Sequence, residues 1–322
     1  MENYSIGPEQ FPKGKGQKVG KYIFTYQVRD WQIIDYKMWK PLPNFILFRG
    51  PAVDLSQPYV SFLGAAQTFG PYVEKPFPYL LQEKSKINSL NLGVGGASAA
   101  WYQHRKWFNH PKPPKLLNII NKSELCVLQI MSPKNTLIEL DQNLTTIDAS
   151  TSEYWKNVSP KKFYDKLKKA KEIWIEDYIN LIDNIKVPVY LFDFSYRDFN
   201  FSEDLEGFQN KEGFFVDKVA GKFPQYVDHN MINAIKDKAT GYYEYKQRIG
   251  LPQKLKDRFT GADHYRSIEL PRLLRTGEGK QDFNPNNITN KQVYYPSPQM
   301  HYGAFETLIK SAFYKEKING IS

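Results

Sequence analysis

Two glycine-bearing loops and one histidine are the parts of this sequence best suited to chemistry. The first loop, residues 64–70, reads Gly-Ala-Ala-Gln-Thr-Phe-Gly, and the second, residues 91–98, contains three glycines. Without a Cβ in the way, backbone N–H groups of such loops can approach an oxyanion or a phosphate. His301 follows Tyr-Tyr-Pro-Ser-Pro-Gln-Met and could act as a general base. The combination predicts an anion cradle beside a base, although tight turns and a core or helix-capping histidine would explain each feature taken alone.

Four short apolar segments predict the strands that would carry these loops. They are rich in β-branched and aromatic residues and lie at 59–63, 89–94, 125–131 and 187–192. Near-continuous apolar runs of this length are typical of strands buried on both faces of a parallel sheet. Helical patterns lie between them at 76–86 and 159–185, and a last helix is expected to follow His301. The sequence therefore predicts a three-layer α/β fold with an open parallel sheet, in which ligands bind at the carboxyl edge of the strands.

The composition divides the chain into two parts. Residues 1–40 contain a cluster of lysines in a glycine-rich stretch and predict a basic N-terminal extension, whereas residues 41–322 predict a single α/β domain. Residues 197–292 break the strand–helix alternation, because they mix Gly, Pro, Asn and charge with short helical pieces such as 229–239. We interpret them as a long insertion over the carboxyl edge of the sheet, where it would line the cleft.

The order of these motifs resembles that of the SGNH, or GDSL-type, hydrolase superfamily. That family carries a G-D-S-x-T-x-G block after the first strand, a glycine block after the second, an asparagine block after the third and D-x-x-H before the last helix. The matching residues, in block order, are Gly64, Thr68 and Gly70, then Gly96, then Asn135 slightly out of register, and finally His301. The resemblance implies an SGNH-like, or flavodoxin-like, open sheet with its site at these positions.

More closely, three segments look like an uncharacterised bacterial family of unknown function with an SGNH-like core. They are Arg49-Gly50-Pro51, the 64–70 loop and the Tyr-Tyr-Pro-Ser-Pro-x-Met-His motif that ends at His301. The SGNH catalytic groups are replaced here. Ala66 lies at the nucleophilic serine, Ala65 at the aspartate of the same block, and Pro298 at the aspartate that would orient the histidine. Because an alanine methyl cannot form an acyl-enzyme, ordinary serine esterase chemistry is not expected.

An anion cradle and one base survive these replacements, and the resemblance then implies single-displacement group transfer. His301 would deprotonate a hydroxyl of a carbohydrate or similar acceptor, which would attack an acyl or sulfuryl donor. A coenzyme A thioester and a sulfonucleotide are both suitable donors, and the sequence does not choose between them. The cradle would comprise Gly64, Ala65, Ala66, Gln67, Thr68, Gly96 and Asn135.

Two alternatives to a transferase stay open. One is a catalytically silent pseudoenzyme that binds a small molecule or a carbohydrate in the same cleft. The other is an esterase with a non-standard nucleophile, for which Ser132 and Ser297 are the candidates. The same two serines and Arg49 are also candidate substrate-binding residues. Arg49 could hold a carboxylate, phosphate or sulfate through two parallel hydrogen bonds, or it could form an ordinary ion pair.

Charge, cysteine content and hydropathy argue against several other classes of protein. The 44 Lys and Arg residues exceed the 34 Asp and Glu residues by 10, but they are scattered and accompany no nucleic-acid motif, so nucleic-acid binding is not expected. The one cysteine, Cys126, excludes an intramolecular disulfide framework, and no histidine spacing suggests a metal site. No apolar run is long enough to span a bilayer and no secretory signal is visible, which predicts a cytoplasmic protein.

Overall fold

A parallel five-stranded sheet forms the centre of the protein, as seen in a computed structural model. The structure describes residues 26–27, 30–42, 46–103, 115–140, 143–146, 160–196, 224–267, 288–292 and 294–315. The strands of the sheet are β1 (Tyr59–Leu63), β2 (Asn88–Asn91), β3 (Leu125–Gln129), β6 (Val189–Ser195) and β7 (Gly241–Lys246). They lie in the order β2-β1-β3-β6-β7, and every neighbouring pair is parallel. The predicted open parallel sheet is therefore confirmed, and its first four strands overlap the four predicted segments.

Helices cover both faces of this sheet, which confirms the three-layer α/β architecture. The helices are α1 (Ala66–Phe69), α2 (Phe77–Ser85), α3 (Ala99–Tyr102), α4 (Leu117–Ile120), α5 (Pro160–Asn184), α6 (His229–Lys236) and α7 (Pro298–Lys310). On one face, α2 packs against α7; on the other, α3 and α6 pack against α5. Among the residues in the ranges above, no helix is long and apolar enough to cross a membrane.

Side chains of the central strands alternate between two buried cores. In β6, Phe192 and Phe194 face the core under α2 and α7, whereas Leu191 faces the core under α5. Successive residues of a strand point to opposite faces, so a strand covered on both faces is apolar at nearly every position. Cys126 lies in the second of these cores, where burial raises the pKa of its thiol to about 12. The cysteine thus packs as a small apolar side chain.

The edge strand β7 corrects one part of the prediction that residues 197–292 form an insertion. It pairs with β6 along six residue pairs, from Tyr190↔Gly241 to Ser195↔Lys246, and so belongs to the central sheet. The sequence hides it because an edge strand is only partly buried, and Glu244 and Lys246 make this one look like a loop. Whether the rest of the segment covers the cleft stays a prediction, as does the division at residue 40.

Two further details differ from or extend the predicted elements. The last helix, α7, starts at Pro298 with Ser297 as its N-cap, so His301 lies inside its first turn and not before it. Residues 36–39, within the predicted extension, contribute buried aromatic side chains to the core. Three small antiparallel pairs complete the described elements: β4 (Leu137–Leu140) with β5 (Asn143–Thr146), β8 (Gln253–Lys254) with β11 (Lys291–Gln292), and β9 (Arg266–Ser267) with β10 (Ile288–Thr289).

Candidate functional site

The first glycine loop is organised by a residue that the sequence analysis missed, Gln129. Its side-chain oxygen accepts hydrogen bonds from the N–H of Ala65 at 3.0 Å, the N–H of Thr68 at 3.1 Å and the Thr68 hydroxyl at 2.7 Å. Ala65 and Thr68, which we predicted as anion-binding donors, therefore already donate to the protein itself. The available signal was a polar residue at the end of the apolar strand β3, at the carboxyl edge of the sheet.

Close packing explains why position 64, the first of this loop, is a glycine. A Cβ at Gly64 would lie 2.3 Å from the Gln129 oxygen, so only glycine admits the amide. The Tyr102 hydroxyl also contacts Gly64, accepting from its N–H at 2.9 Å. Gln67 lies in the same loop and is buried, and its side-chain nitrogen has no acceptor among the described residues. Of the two side-chain donors predicted in this loop, the Thr68 hydroxyl is bound to Gln129, and the Gln67 amide nitrogen has no partner among the described residues.

Hydrogen bonds join the second glycine loop to the first. The N–H of Val94 donates to the carbonyl of Gly64 at 3.0 Å, and the Asn91 amide donates to the carbonyl of Thr68 at 2.8 Å. The structure thus brings the two loops together at one edge of the sheet. Gly96 is partly exposed in this loop and has a φ of 81°, a left-handed conformation that suits glycine.

His301 lies in an apolar environment that keeps its ring neutral. It is 0% exposed, stacks on Phe77 with ring centroids 5.9 Å apart and meets the Phe194 ring edge-on at 5.2 Å. Burial, together with the positive charge of Arg49, lowers the pKa of His301 to about 3. The charged form is disfavoured because the core offers it no counter-charge.

The hydrogen bonds of His301 decide which nitrogen carries its proton. Nδ1 accepts the backbone N–H of Phe77 at 3.2 Å, so in the neutral ring the hydrogen is on Nε2. Nε2 has no acceptor among the described residues. The lone pair that a general base needs is therefore already used, and the geometry does not support the base role predicted for His301.

Arg49 is buried and contacts protein carbonyls. Its guanidinium donates to the carbonyl oxygens of Gly70 at 2.9 Å and Glu74 at 3.0 Å, and also to that of Val73. It also lies over the Tyr36 ring, 4.6 Å from the centroid, and burial lowers its pKa to about 10. These bonds fix the loop that follows α1, so the predicted substrate-binding role of Arg49 gains no support.

The two serines that we considered as alternative nucleophiles are helix caps. The Ser132 hydroxyl donates to the carbonyl of Gln225 at 2.7 Å and accepts the N–H of Lys134 at 3.2 Å. The Ser297 hydroxyl accepts the N–H of Met300 at 3.2 Å, and also donates to a backbone carbonyl. Asn135 is buried at the end of the short 3₁₀ turn that Ser132 caps. Hydroxyls held in this way are poorly placed to attack a substrate.

Aromatic side chains surround Ala66, the residue at the predicted nucleophile position. Ala66 packs in one buried cluster with Tyr72, Leu255 and Tyr295, and two partly buried tyrosines flank it. We call Tyr26, Tyr72, Tyr294 and Tyr295 the tyrosine rim. Within the rim, the hydroxyls of Tyr26 and Tyr295 are 3.2 Å apart.

The mouth of the site lies where these groups reach the surface. Ala65, Gly96, Tyr26, Tyr294 and Lys134 are each partly exposed. The Lys134 ammonium donates to the Tyr294 hydroxyl at 3.3 Å and thereby places a positive charge beside the rim. In the ranges that the structure covers, no group of three or more His, Cys, Asp or Glu side chains could hold a metal ion. The sequence signal for the rim was the pair Tyr294-Tyr295, which lies in the motif that ends at His301.

Comparison with known proteins adds a partial family match. A model of the family described as "Domain of unknown function (DUF6473)" matches residues 25–137. This agrees with the predicted resemblance to a family of unknown function and covers both glycine loops. None of the curated proteins compared matches the chain.

The chain is similar, at low identity and low TM-score, to two solved structures. One is a carbohydrate esterase family 2 enzyme with a carbohydrate-binding domain from Corynascus thermopiles (Myceliophthora fergusii), with 9% identity and a TM-score of 0.36 over 82% of this chain and 70% of that chain. The other is the lipase Lip_vut3 from a goat rumen metagenome, with 10% identity and a TM-score of 0.40 over 80% of this chain and 98% of that chain. At these scores the likenesses carry no inference about what this chain binds or acts on.

Proposed function

We propose that this protein is a catalytically silent ligand-binding protein whose cleft takes a hydroxylated ligand of carbohydrate type. The observation that carries the proposal is the state of His301: its Nδ1 accepts the Phe77 N–H and its ring is fully buried between phenylalanines. Ala66 in turn supplies no nucleophile. The two groups that would perform acyl transfer are thus missing together, which favours binding over turnover.

The groups at the mouth of the cleft support a polyhydroxylated ligand. Tyr26 and Tyr294 are partly exposed, so each can offer both a ring and a hydroxyl. The unpartnered amide nitrogen of Gln67 would donate to a ligand oxygen, since a buried donor without an acceptor is costly. Lys134 adds one charged donor. Rings with a few directed polar groups are typical of a small-molecule site.

A thermal-shift panel tests the binding half of the proposal. The panel would contain neutral oligosaccharides, nucleotide sugars, coenzyme A thioesters and adenosine 3′-phosphate nucleotides. A ligand at 100 times its dissociation constant stabilises the fold by about 2.7 kcal/mol. We expect the oligosaccharides or nucleotide sugars to give this shift in the wild type and in Tyr302→Ala, a control on the exposed face of α7. The shift should be lost in Tyr294→Ala.

Turnover assays test the silent half of the proposal. The wild type should release no product above buffer from p-nitrophenyl acetate or from acetyl coenzyme A with a sugar acceptor. His301→Asn is the informative variant, because its side-chain oxygen can still accept the Phe77 N–H. Turnover by the wild type that His301→Asn abolishes would overturn the proposal in favour of group transfer. If Tyr294→Ala keeps the full ligand-induced thermal shift, the ligand does not bind in the cleft beside Tyr294.

A further inference from the structure

The hairpin formed by residues 255–264 presents aromatic side chains to water on a rigid turn. Phe259 is 65% exposed, and Tyr265, just after the hairpin, is 62% exposed. The Asp257 carboxylate accepts the N–H groups of Phe259 and Thr260, both at 2.9 Å. The backbone N–H of Gly261 donates to the carbonyl of Asp257 at 2.8 Å and closes the turn. The turn therefore holds Phe259 in place although solvent surrounds it.

Arg258 on the same turn is fixed by two rings and one hydrogen bond. Its guanidinium carbon lies 4.0 Å from the ring centroid of Trp31 and 4.5 Å from that of Phe259. Its Nε donates to the carbonyl of Trp31 at 2.8 Å. Within the described ranges no carboxylate pairs with it, so the two terminal nitrogens stay free to donate. An arginine oriented in this way loses little further freedom when it binds an anion.

The charges around Arg258 favour one acidic group on the partner. Asp263 is already paired with Lys256, and its carboxylate also accepts from Asn290 at 2.7 Å. The Asp257 carboxylate accepts hydrogen bonds from the turn, which lower its pKa and keep it ionised. The Arg258 guanidinium has no ion-pair partner among the described residues, and its two terminal nitrogens match the two oxygens of a carboxylate.

We propose that this hairpin is a binding surface for a carboxylated oligosaccharide. Arg258 takes the carboxylate of one sugar unit, and the exposed rings of Phe259 and Tyr265 pack against the apolar faces of neighbouring sugar rings. A single-stranded nucleic acid fits less well, because such sites follow several successive phosphates with a series of cations. The inference does not depend on the proposed function of the cleft.

Isothermal titration of the full chain with a galacturonate oligomer tests the inference. We expect Arg258→Ala to weaken binding by about tenfold, the loss expected for a charged hydrogen-bonding partner. Arg258→Lys keeps the charge but loses the two-pronged geometry, so it should bind more weakly than the wild type. Lys310→Ala and Tyr302→Ala, which change exposed residues on α7, are the matched charge and ring controls and should bind as the wild type does.

Two further ligands test whether binding needs the carboxylate and whether a nucleic acid binds instead. The methyl-esterified galacturonate oligomer has the same sugar rings without the carboxylates, and it should bind at least tenfold more weakly. An oligo-deoxythymidylate of similar length should bind more weakly than the galacturonate. Equal losses in Arg258→Ala and Lys310→Ala, no detectable binding of the galacturonate, or tighter binding of the oligonucleotide would each overturn the inference. Unfolding midpoints of all variants, compared with the wild type, would exclude a loss of fold as the cause.

Discussion

Replacing His301 by asparagine should make the stability of the protein less sensitive to acid. The side-chain oxygen of the asparagine can accept the Phe77 N–H in place of Nδ1, so the hydrogen bond of the folded state is kept while the titrating ring is removed. In the wild type, burial lowers the pKa of His301 to about 3 in the folded state, against the ordinary value of 6.5 for an exposed histidine. Between these two values the unfolded chain binds a proton that the folded chain does not.

The size and the sign of the change in unfolding free energy with pH follow from this difference in proton binding. Stability due to a neutral buried histidine is fully present above the unfolded pKa and decreases as the pH falls toward the folded pKa. At pH 5 the histidine therefore costs the wild type about 2 kcal/mol of unfolding free energy relative to neutral pH. Asp193 acts in the opposite direction, because burial raises the pKa of its carboxyl, but it is present in both proteins and cancels.

Urea unfolding at about pH 7.5 and pH 5, followed by tryptophan fluorescence, measures the effect. The quantity compared is the loss of unfolding free energy between the two pH values, in the wild type and in His301→Asn. We expect the loss to be about 2 kcal/mol larger in the wild type. If the two proteins lose the same free energy, His301 is not held neutral in the core, and the reasoning that removes it from acid–base chemistry is refuted.

Three other substitutions test the local structure of the site. Gln129→Met removes the acceptor of three hydrogen bonds and should lower the unfolding free energy by roughly 2–3 kcal/mol in urea titrations. A clearly smaller loss would contradict this expectation. Gly70→Ala should destabilise the folded protein more than Gly261→Ala does. Both glycines have a positive φ, but only the Cβ at position 70 would meet another side chain, 2.7 Å away. Equal unfolding midpoints of the two variants would refute this. Ala66→Ser should hydrolyse p-nitrophenyl acetate no faster than buffer, because His301 has no free lone pair. Release of nitrophenolate faster than in buffer and in the wild type would contradict this.

Much of the fold was predictable because its signals are local. A strand buried on both faces must be apolar at nearly every position, and β1, β3 and β6 could be recognised for this reason. The long amphipathic pattern of α5 likewise fixed a helix to within a residue of its observed ends. β7 escaped prediction because an edge strand is half exposed, so its sequence obeys no comparable constraint.

The candidate site was predictable in its residue types but not in its contacts. The sequence determined that Ala66 offers no nucleophile, since no fold can give a methyl group a lone pair. The partners of His301 were decided by the tertiary structure, because α2 and α7 lie far apart in the chain and packing brings the Phe77 N–H to Nδ1. Packing also placed the Gln129 amide under the first glycine loop. A donor and an acceptor find each other across the core only once the layers have assembled, which is why the sequence alone left the role of His301 open.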